Sequence, residues 1–280
     1  CGIVYSFLWH VLPDRCGDNY ISYSLNLIVG FYLLGNIVFN YIACINTSPG
    51  HPEPCRDPGL YLGGKNVINR EGKRITRLNY KIELEPGVSY RWCRECNCIK
   101  PPRCHHDSIT GKCVLDMDHF CPWMANCVGY GNYIYFLLFM IYLFIGCIYV
   151  ITIDIMMFYN FNEKVGQGPA YYRNLHDAMV YSFTVCASAA IAVSILIVWH
   201  IYLCCTNQTT IEFYINIENR PDAKEEGKEY KNPFDKGWRK NLKRVFGNER
   251  GFFGAILISS RPPPPQEYPL LPTTSGGNAV

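Results

Sequence analysis

A chain of 280 residues with a net charge of +3 is too weakly basic to point to nucleic acid by charge alone, and its length suits one large or two small domains. A hydrophobic share of 49% and a mean hydropathy of −0.01 are near soluble averages, but the apolar residues are clumped into long runs between polar segments, the pattern of an integral membrane protein with parts in water. The fifteen cysteines sit mostly in those runs or in one Cys/His cluster, which favours reduced thiols and metal ligands over a disulfide framework.

The chain opens at Cys1 with an apolar stretch, residues 1–12, that stops at Pro13. It is too short to cross a bilayer and reads as the second half of a truncated first span. A signal-peptide core is the alternative, but no basic segment or small-residue cleavage site accompanies it. Residues 25–45 are 21 positions without a charge, roughly 30 Å of helix, and form the expected second span. Asn26, Asn36 and Asn40 within it recur near helical spacing and are expected to face other helices rather than lipid. Ser48-Pro49-Gly50 and Asp57-Pro58-Gly59 supply turns. Residues 60–92 read as a polar linker with short strands near 80–84.

Tyr133 to Ile153 is the clearest span, and the third helix is expected over 133–157, with Asp154 near the opposite interface as a snorkelling or capping residue. Ala178 to Cys205 is the fourth, with small residues from Ala187 to Ala192 that permit close helix contact. Lys and Arg number twelve over 47–131 and eleven after 205, against one over 13–20 and two over 159–177. That bias places the 46–132 loop and the 206–280 tail in the cytosol. The tail carries a charged segment over 220–231, an apolar run over 251–258 suited to an interface, and a polyproline stretch over 261–265.

Between the second and third spans, residues 93–132 hold seven cysteines and three histidines. Cys93 and Cys96, two residues apart, can bind one tetrahedral ion, and His106 and Cys113 can complete a set of three thiolates and one imidazole. Such a site closes a loop that has little hydrophobic core of its own. Further on, His119 and Cys121 have the i, i+2 spacing that puts both on one side of an extended strand. The imidazole can take the thiol proton, and Asp118 can orient the imidazole. A thiol nucleophile about a dozen residues before a span suits a lipid-borne acyl group.

These residues give a specific resemblance. Cys93, Cys96, Lys100-Pro101-Pro102-Arg103, His105-His106, Cys113-Val114, Met117-Asp118-His119, Cys121-Pro122-Trp123, Asn126-Cys127-Val128-Gly129 and Asn132 fall in register with the cysteine-rich domain of the DHHC family of protein S-acyltransferases. Asp57-Pro58-Gly59, Thr209-Thr210-Ile211-Glu212 and the segment 232–247 with Asn241 resemble further family motifs in the family's order. The resemblance implies a polytopic α-helical membrane protein of four transmembrane helices, the first partly missing here, with a small zinc-bound cysteine-rich cytosolic domain in an endoplasmic reticulum or Golgi membrane. It implies transfer of a long acyl chain from palmitoyl-CoA to cysteines of substrate proteins through a thioester on Cys121. His119 acts as base, Asp118 positions it, and Thr209 or Thr210 braces the aspartate. Asn241 holds the C-terminal segment against the helices, and the acyl chain lies among the spans with Gly146 leaving room for it. Zn2+ is expected at Cys93, Cys96, His106 and Cys113. Membrane lipids and protein substrates are the expected partners, with no nucleic acid.

This sequence departs from the family pattern at Phe120, Asp107 and Thr110, which stand where the family has a histidine and two cysteines that bind a second zinc together with the residue matching Cys127. Three of four ligands are gone together. The expected consequence is one zinc ion, with the second position refilled and Phe120 packed as an apolar residue; Cys98 and Cys104 are extra and offer substitute ligands. An inactive scaffold of the same fold is the competing reading, opposed by the retained Asp118, His119 and Cys121. A transporter would need paired ionisable residues in the spans, which the sequence lacks.

Overall fold

The computed structural model describes residues 4, 7–17, 19–52, 91–93, 95–96, 98–100, 102–161, 169–225, 227 and 230–247. The expected turn at 57–59, the linker and its strands, the apolar run over 251–258 and the polyproline stretch lie outside them. The chain divides into two compact units, Cys1–Tyr41 with Leu137–His200, and Ile42–Phe136 with Ile201–Val280.

A π-helical turn, Phe7–Val11, leads into the short helix α1, Leu12–Cys16. Helical structure therefore does not stop at Pro13 as the sequence suggests. Proline falls in the first turn of α1, where its missing N–H is one the helix leaves unpaired anyway. Gly17, at φ 51°, ends it. Phe7, Val11, Leu12 and Cys16 share an apolar cluster with Ile153, Met157, Leu175 and Met179.

Among the described residues, three helices carry segments long and apolar enough to cross a membrane: α2, Tyr20–Asn46, α3, Tyr133–Phe161, and α4, Pro169–Thr206. Both α3 and α4 outrun the apolar stretches that announce them, because helix continues through polar turns such as Arg173 to Asp177 that hydropathy does not register. The asparagines of α2 each donate to the carbonyl four residues back. Asn26 also accepts from Tyr149 on α3 at 2.8 Å, and Asn40 is fully buried. Asp154 lies within α3, fully buried, and accepts from Ser182 on α4 at 2.8 Å, so it faces a neighbouring helix.

In the other unit, the cysteine-rich stretch forms three two-stranded antiparallel hairpins. They pair β1 (Arg91–Cys93) with β2 (Cys98–Lys100), β3 (His105–Asp107) with β4 (Lys112–Val114), and β5 (His119–Cys121) with β6 (Asn126–Val128). Strands of three residues bury too little to stand alone. Two asparagines tie the third hairpin and the residues after it to the end of α2. Asn126 donates to the carbonyls of Ile45 and Thr47, and Asn132 to those of Cys44 and Cys127, which supplies partners for carbonyls that a helix end leaves unpaired. The Ser48-Pro49-Gly50 turn then packs along 129–131, with Leu115 donating to Gly50 and Gly131 to Pro49. The tail adds α5, Thr210–Glu225, and α6, Trp238–Phe246, where the sequence suggests only a charged segment and a motif.

A β-carbon on Gly131 would meet the carbonyl oxygen of Ser48 at 2.2 Å. Gly131→Ala is expected to cost about 1–3 kcal/mol through forced backbone displacement, read as a lower apparent Tm of the purified protein. An unchanged Tm would show that this turn is not held as described.

Candidate active site and metal centre

The four predicted metal ligands come together. Cys93 ends β1, Cys96 sits in the turn after it, and His106 and Cys113 are cross-strand partners in the next hairpin. Their donor atoms all lie within 4.8 Å of one another. The Nδ1 of His106 is 3.2 Å from the Cys96 sulfur and 3.5 Å from that of Cys93. A metal–sulfur bond of about 2.3 Å separates tetrahedral donors by roughly 3.8 Å, so the set fits one ion after small adjustment. The backbone N–H of Cys96 donates to the Cys93 sulfur at 3.4 Å.

The three predicted reactive residues also converge. Asp118 is 1% exposed, and its carboxylate is bonded to Thr210 and His119. Thr210 donates its N–H to Oδ1 at 2.8 Å and its hydroxyl to Oδ2 at 2.9 Å. His119 Nδ1 lies 2.7 Å from Oδ2. Because β5 is extended, Phe120 is directed to the face opposite His119 and Cys121. The Phe136 ring meets the imidazole edge-on at 5.3 Å, limiting its rotation. His119 and Cys121 act on one another's charge, and the backbone N–H groups of Met124 and Trp123, at the 3-10 turn over Pro122–Met124, favour the charged form of the sulfur.

Burial opposes charge on both groups. For His119, the bond and charge of Asp118 and the neighbouring Cys121 outweigh it and raise the imidazole to about 9. For Cys121, the bond from His119 and the two backbone N–H groups overcome burial and lower the thiol. The arrangement can hold a thiolate beside an imidazolium near neutral pH.

Sequence reasoning missed what stands behind Asp118. Thr209 and Glu212 form a reciprocal capping box on α5: the Glu212 N–H donates to the Thr209 hydroxyl, and the Thr209 N–H to the Glu212 carboxylate. The Arg103 guanidinium forks onto that carboxylate at 2.7 and 2.8 Å, donates to Asn207, and stacks on Phe234 at 4.8 Å. Asp116 lies 3.5 Å from Arg103 and also accepts from Arg244 of α6. Arg103, Asp116 and Asn207 all hold positive φ, at 65°, 44° and 47°. Such backbone is sparsely populated for these residues and is sustained here by their shared ion-pair network. Asn241, as expected, pins the C-terminal segment, donating to Cys205 at the end of α4 and accepting from Lys236.

A family model described as DHHC palmitoyltransferase matches residues 88–217. Palmitoyltransferase ZDHHC2 of Rattus norvegicus is 36% identical over 244 residues, covering 84% of this chain and 63% of that protein. Palmitoyltransferase ZDHHC20-A of Danio rerio is 38% identical over 232 residues, 80% of this chain and 62% of that protein. Probable protein S-acyltransferase 14 of Arabidopsis thaliana is 32% identical over 234 residues, 81% of this chain and 70% of that protein. The chain belongs to the DHHC palmitoyltransferase family. It is an integral membrane protein, and it spans less than two thirds of the ZDHHC2 length.

For a DHHC protein, the region that departs from the pattern is ordered and well packed. Phe120 packs with Val114, Met117 and Cys127, joined by Ile211 from α5. Asp107 accepts the Thr110 N–H at 2.7 Å, and the Thr110 hydroxyl is 4.0 Å from the Cys127 sulfur. Burial, then the bond and charge of Asp107, push the Cys127 thiol up to about 12, so it is held protonated. Among the described residues, Cys93, Cys96, His106 and Cys113 are the group whose donors gather for a metal, and the buried Cys104 is outside it.

The two shifts set the pH dependence. The raised His119 favours the folded pair below its ordinary value of 6.5, and that contribution is lost as pH rises through about 9. The lowered Cys121 favours it at higher pH, and its contribution is lost as pH falls through the depressed value. Iodoacetamide labelling of the Cys121 peptide, followed by mass spectrometry, should stay fast below the ordinary thiol range. In His119→Ala the profile should move to higher pH, with labelling at neutral pH slower by about tenfold or more. Superimposable profiles would rule out the pairing.

Proposed function

We propose that this chain is a protein S-acyltransferase that moves a long acyl group, palmitate foremost, from acyl-CoA to cysteines of substrate proteins. The observation that carries the reading is the buried Asp118, bonded on one side to Thr210 and on the other to His119, whose charge is coupled to Cys121.

The Cys121 thiolate attacks the thioester carbonyl of the acyl-CoA. A new carbon–sulfur bond forms, the bond to the coenzyme A sulfur breaks, and the leaving thiolate takes the proton held by His119. In the second half, His119 removes the proton of an acceptor thiol. That thiolate attacks the acyl-enzyme, and Cys121 leaves as the thiolate, restoring the starting pair. Asp118 stabilises the imidazolium and fixes its orientation at each step. Zinc at Cys93, Cys96, His106 and Cys113 would be structural: it would hold the first two hairpins together and take no part in proton or acyl transfer. The basic residues of the 46–132 loop and tail support a cytosolic face for this chemistry, and the family resemblance supports an endoplasmic reticulum or Golgi membrane, with protein cysteines at the lipid surface as acceptors. Retention of the whole Asp118, His119 and Cys121 line has no purpose in an inactive scaffold.

The purified protein given labelled palmitoyl-CoA should acquire label that hydroxylamine releases. Cys121→Ser should remove it, and His119→Ala should slow transfer by about 10²–10⁴-fold. Label that survives Cys121→Ser would sink the assignment. Chain preference supplies a separate check. An apolar cavity of about 240 Å³ is lined by Leu33, Ile37, Leu143, Gly146 and Cys147 among others, and a β-carbon on Gly146 would come within 3.2 Å of Ile37. If the acyl chain occupies it, Gly146→Phe should shift preference toward shorter acyl-CoA; equal preference in both proteins would remove the cavity from the acyl path.

A further inference from the structure

The three hairpins repeat with one period. Strands β1, β3 and β5 begin at residues 91, 105 and 119, and strands β2, β4 and β6 at 98, 112 and 126, a step of fourteen in each series. The metal set uses two adjacent repeats. It takes Cys93 and Cys96 from the turn of the first, and the cross-strand pair His106 and Cys113 from the second. One repeat later the same four places are Asp107, Thr110, Phe120 and Cys127. The correspondence is structural as well as numerical. Phe120 and Cys127 are cross-strand partners as His106 and Cys113 are, and the Thr110 N–H meets Asp107 as the Cys96 N–H meets Cys93.

The fold thus builds a second ligand position, and its occupants do not suit a metal. Phe120 offers no donor atom, and its ring fills the space beside Cys127. One carboxylate oxygen of Asp107 is engaged by the Thr110 N–H, and the Thr110 hydroxyl turns to Cys127. We propose that Asp107, Thr110, Phe120 and Cys127 form a metal-free plug that holds the second and third hairpins together in place of an ion. The protein then carries one metal per chain, and the hairpin bearing His119 and Cys121 keeps its shape without one. This rests on the reading of Cys93, Cys96, His106 and Cys113 as the metal set.

Elemental analysis of the purified full-length protein, with protein concentration from amino-acid analysis, tests it. Wild type should hold one zinc per chain. Cys96→Ser should lose it, and Cys127→Ala should keep it. Two ions in wild type would overturn the plug, as would an ion lost from Cys127→Ala while its Tm stays near wild type. Should Cys127→Ala fold poorly, Thr110→Val supplies the same comparison, and the wild-type stoichiometry decides by itself. The combined variant D107C/T110C/F120H restores four donors and should raise the count from one to two; a properly folded variant still holding one would show that the second position is not the equivalent of the first. Failure of the acyltransferase reading is distinguishable, since it would abolish labelling of Cys121 and leave the metal count at one.

Discussion

The buried carboxylate of Asp118 constrains the rest of the site. Removing a carboxylate from water is costly unless its lone pairs are satisfied, and here the satisfying groups come from two distant parts of the chain. His119 is its sequence neighbour, but Thr210 lies beyond two membrane-length helices. The N–H and hydroxyl of Thr210 open α5, where the aligned peptide dipoles favour a negative charge. The third hairpin and the start of α5 therefore cannot separate without exposing or orphaning Asp118. Everything that fixes the start of α5 then fixes the imidazole.

This gives the buried Arg103 network its physical sense. Glu212 caps the helix that holds Asp118 and is itself the partner of the Arg103 fork. Arg103 reaches Asp116, and Asp116 reaches Arg244 on α6, while Asn241 of the same helix is bonded to the end of α4. A buried bidentate pair with each remaining donor engaged is rigid, and loss of one partner leaves an uncompensated charge. Strands of three residues supply little apolar core of their own to hold the imidazole in place. Charge-assisted bonds between the hairpins and the tail supply the rigidity instead.

Much of this was legible in the residues. Clumped hydropathy located the three membrane-length helices, Cys/His spacing located the metal set, and the i, i+2 rule placed His119 with Cys121. What escaped had a common cause: it depended on contacts between segments far apart in sequence. Arg103 and Glu212 are single letters separated by 109 positions, so no local pattern joins them. Asn126 reads as a polar residue of a strand, and only the structure shows it donating to the last carbonyls of α2. Asp154 reads as a lone charge near the end of an apolar run, and only the structure supplies its partner, Ser182 of α4. The fourteen-residue period is hidden because the repeats share backbone and register but few identities.

That period also explains why the Cys121 thiol stands where it does. Cys93, Asp107 and Cys121 occupy the same place in successive hairpins, the last strand residue before the turn. In the first two a backbone N–H three residues on donates to the side-chain acceptor, Cys96 to Cys93 and Thr110 to Asp107, and in the third the Met124 N–H favours the charged form of Cys121. The turn is a small anion cradle that favours whichever negative group it holds. In the first hairpin the cradled sulfur belongs to a donor set that could hold a metal and that the second hairpin completes. In the third, no following hairpin offers an imidazole and a thiolate, so the sulfur keeps its lone pairs available. His119, two residues before Cys121 and on the same face of the strand, supplies the compensating charge in place of a metal. A phenyl ring at Phe120 is compatible with this because it lies on the opposite face. It closes the neighbouring ligand position by packing, and so leaves the thiolate–imidazole pair intact without a second ion.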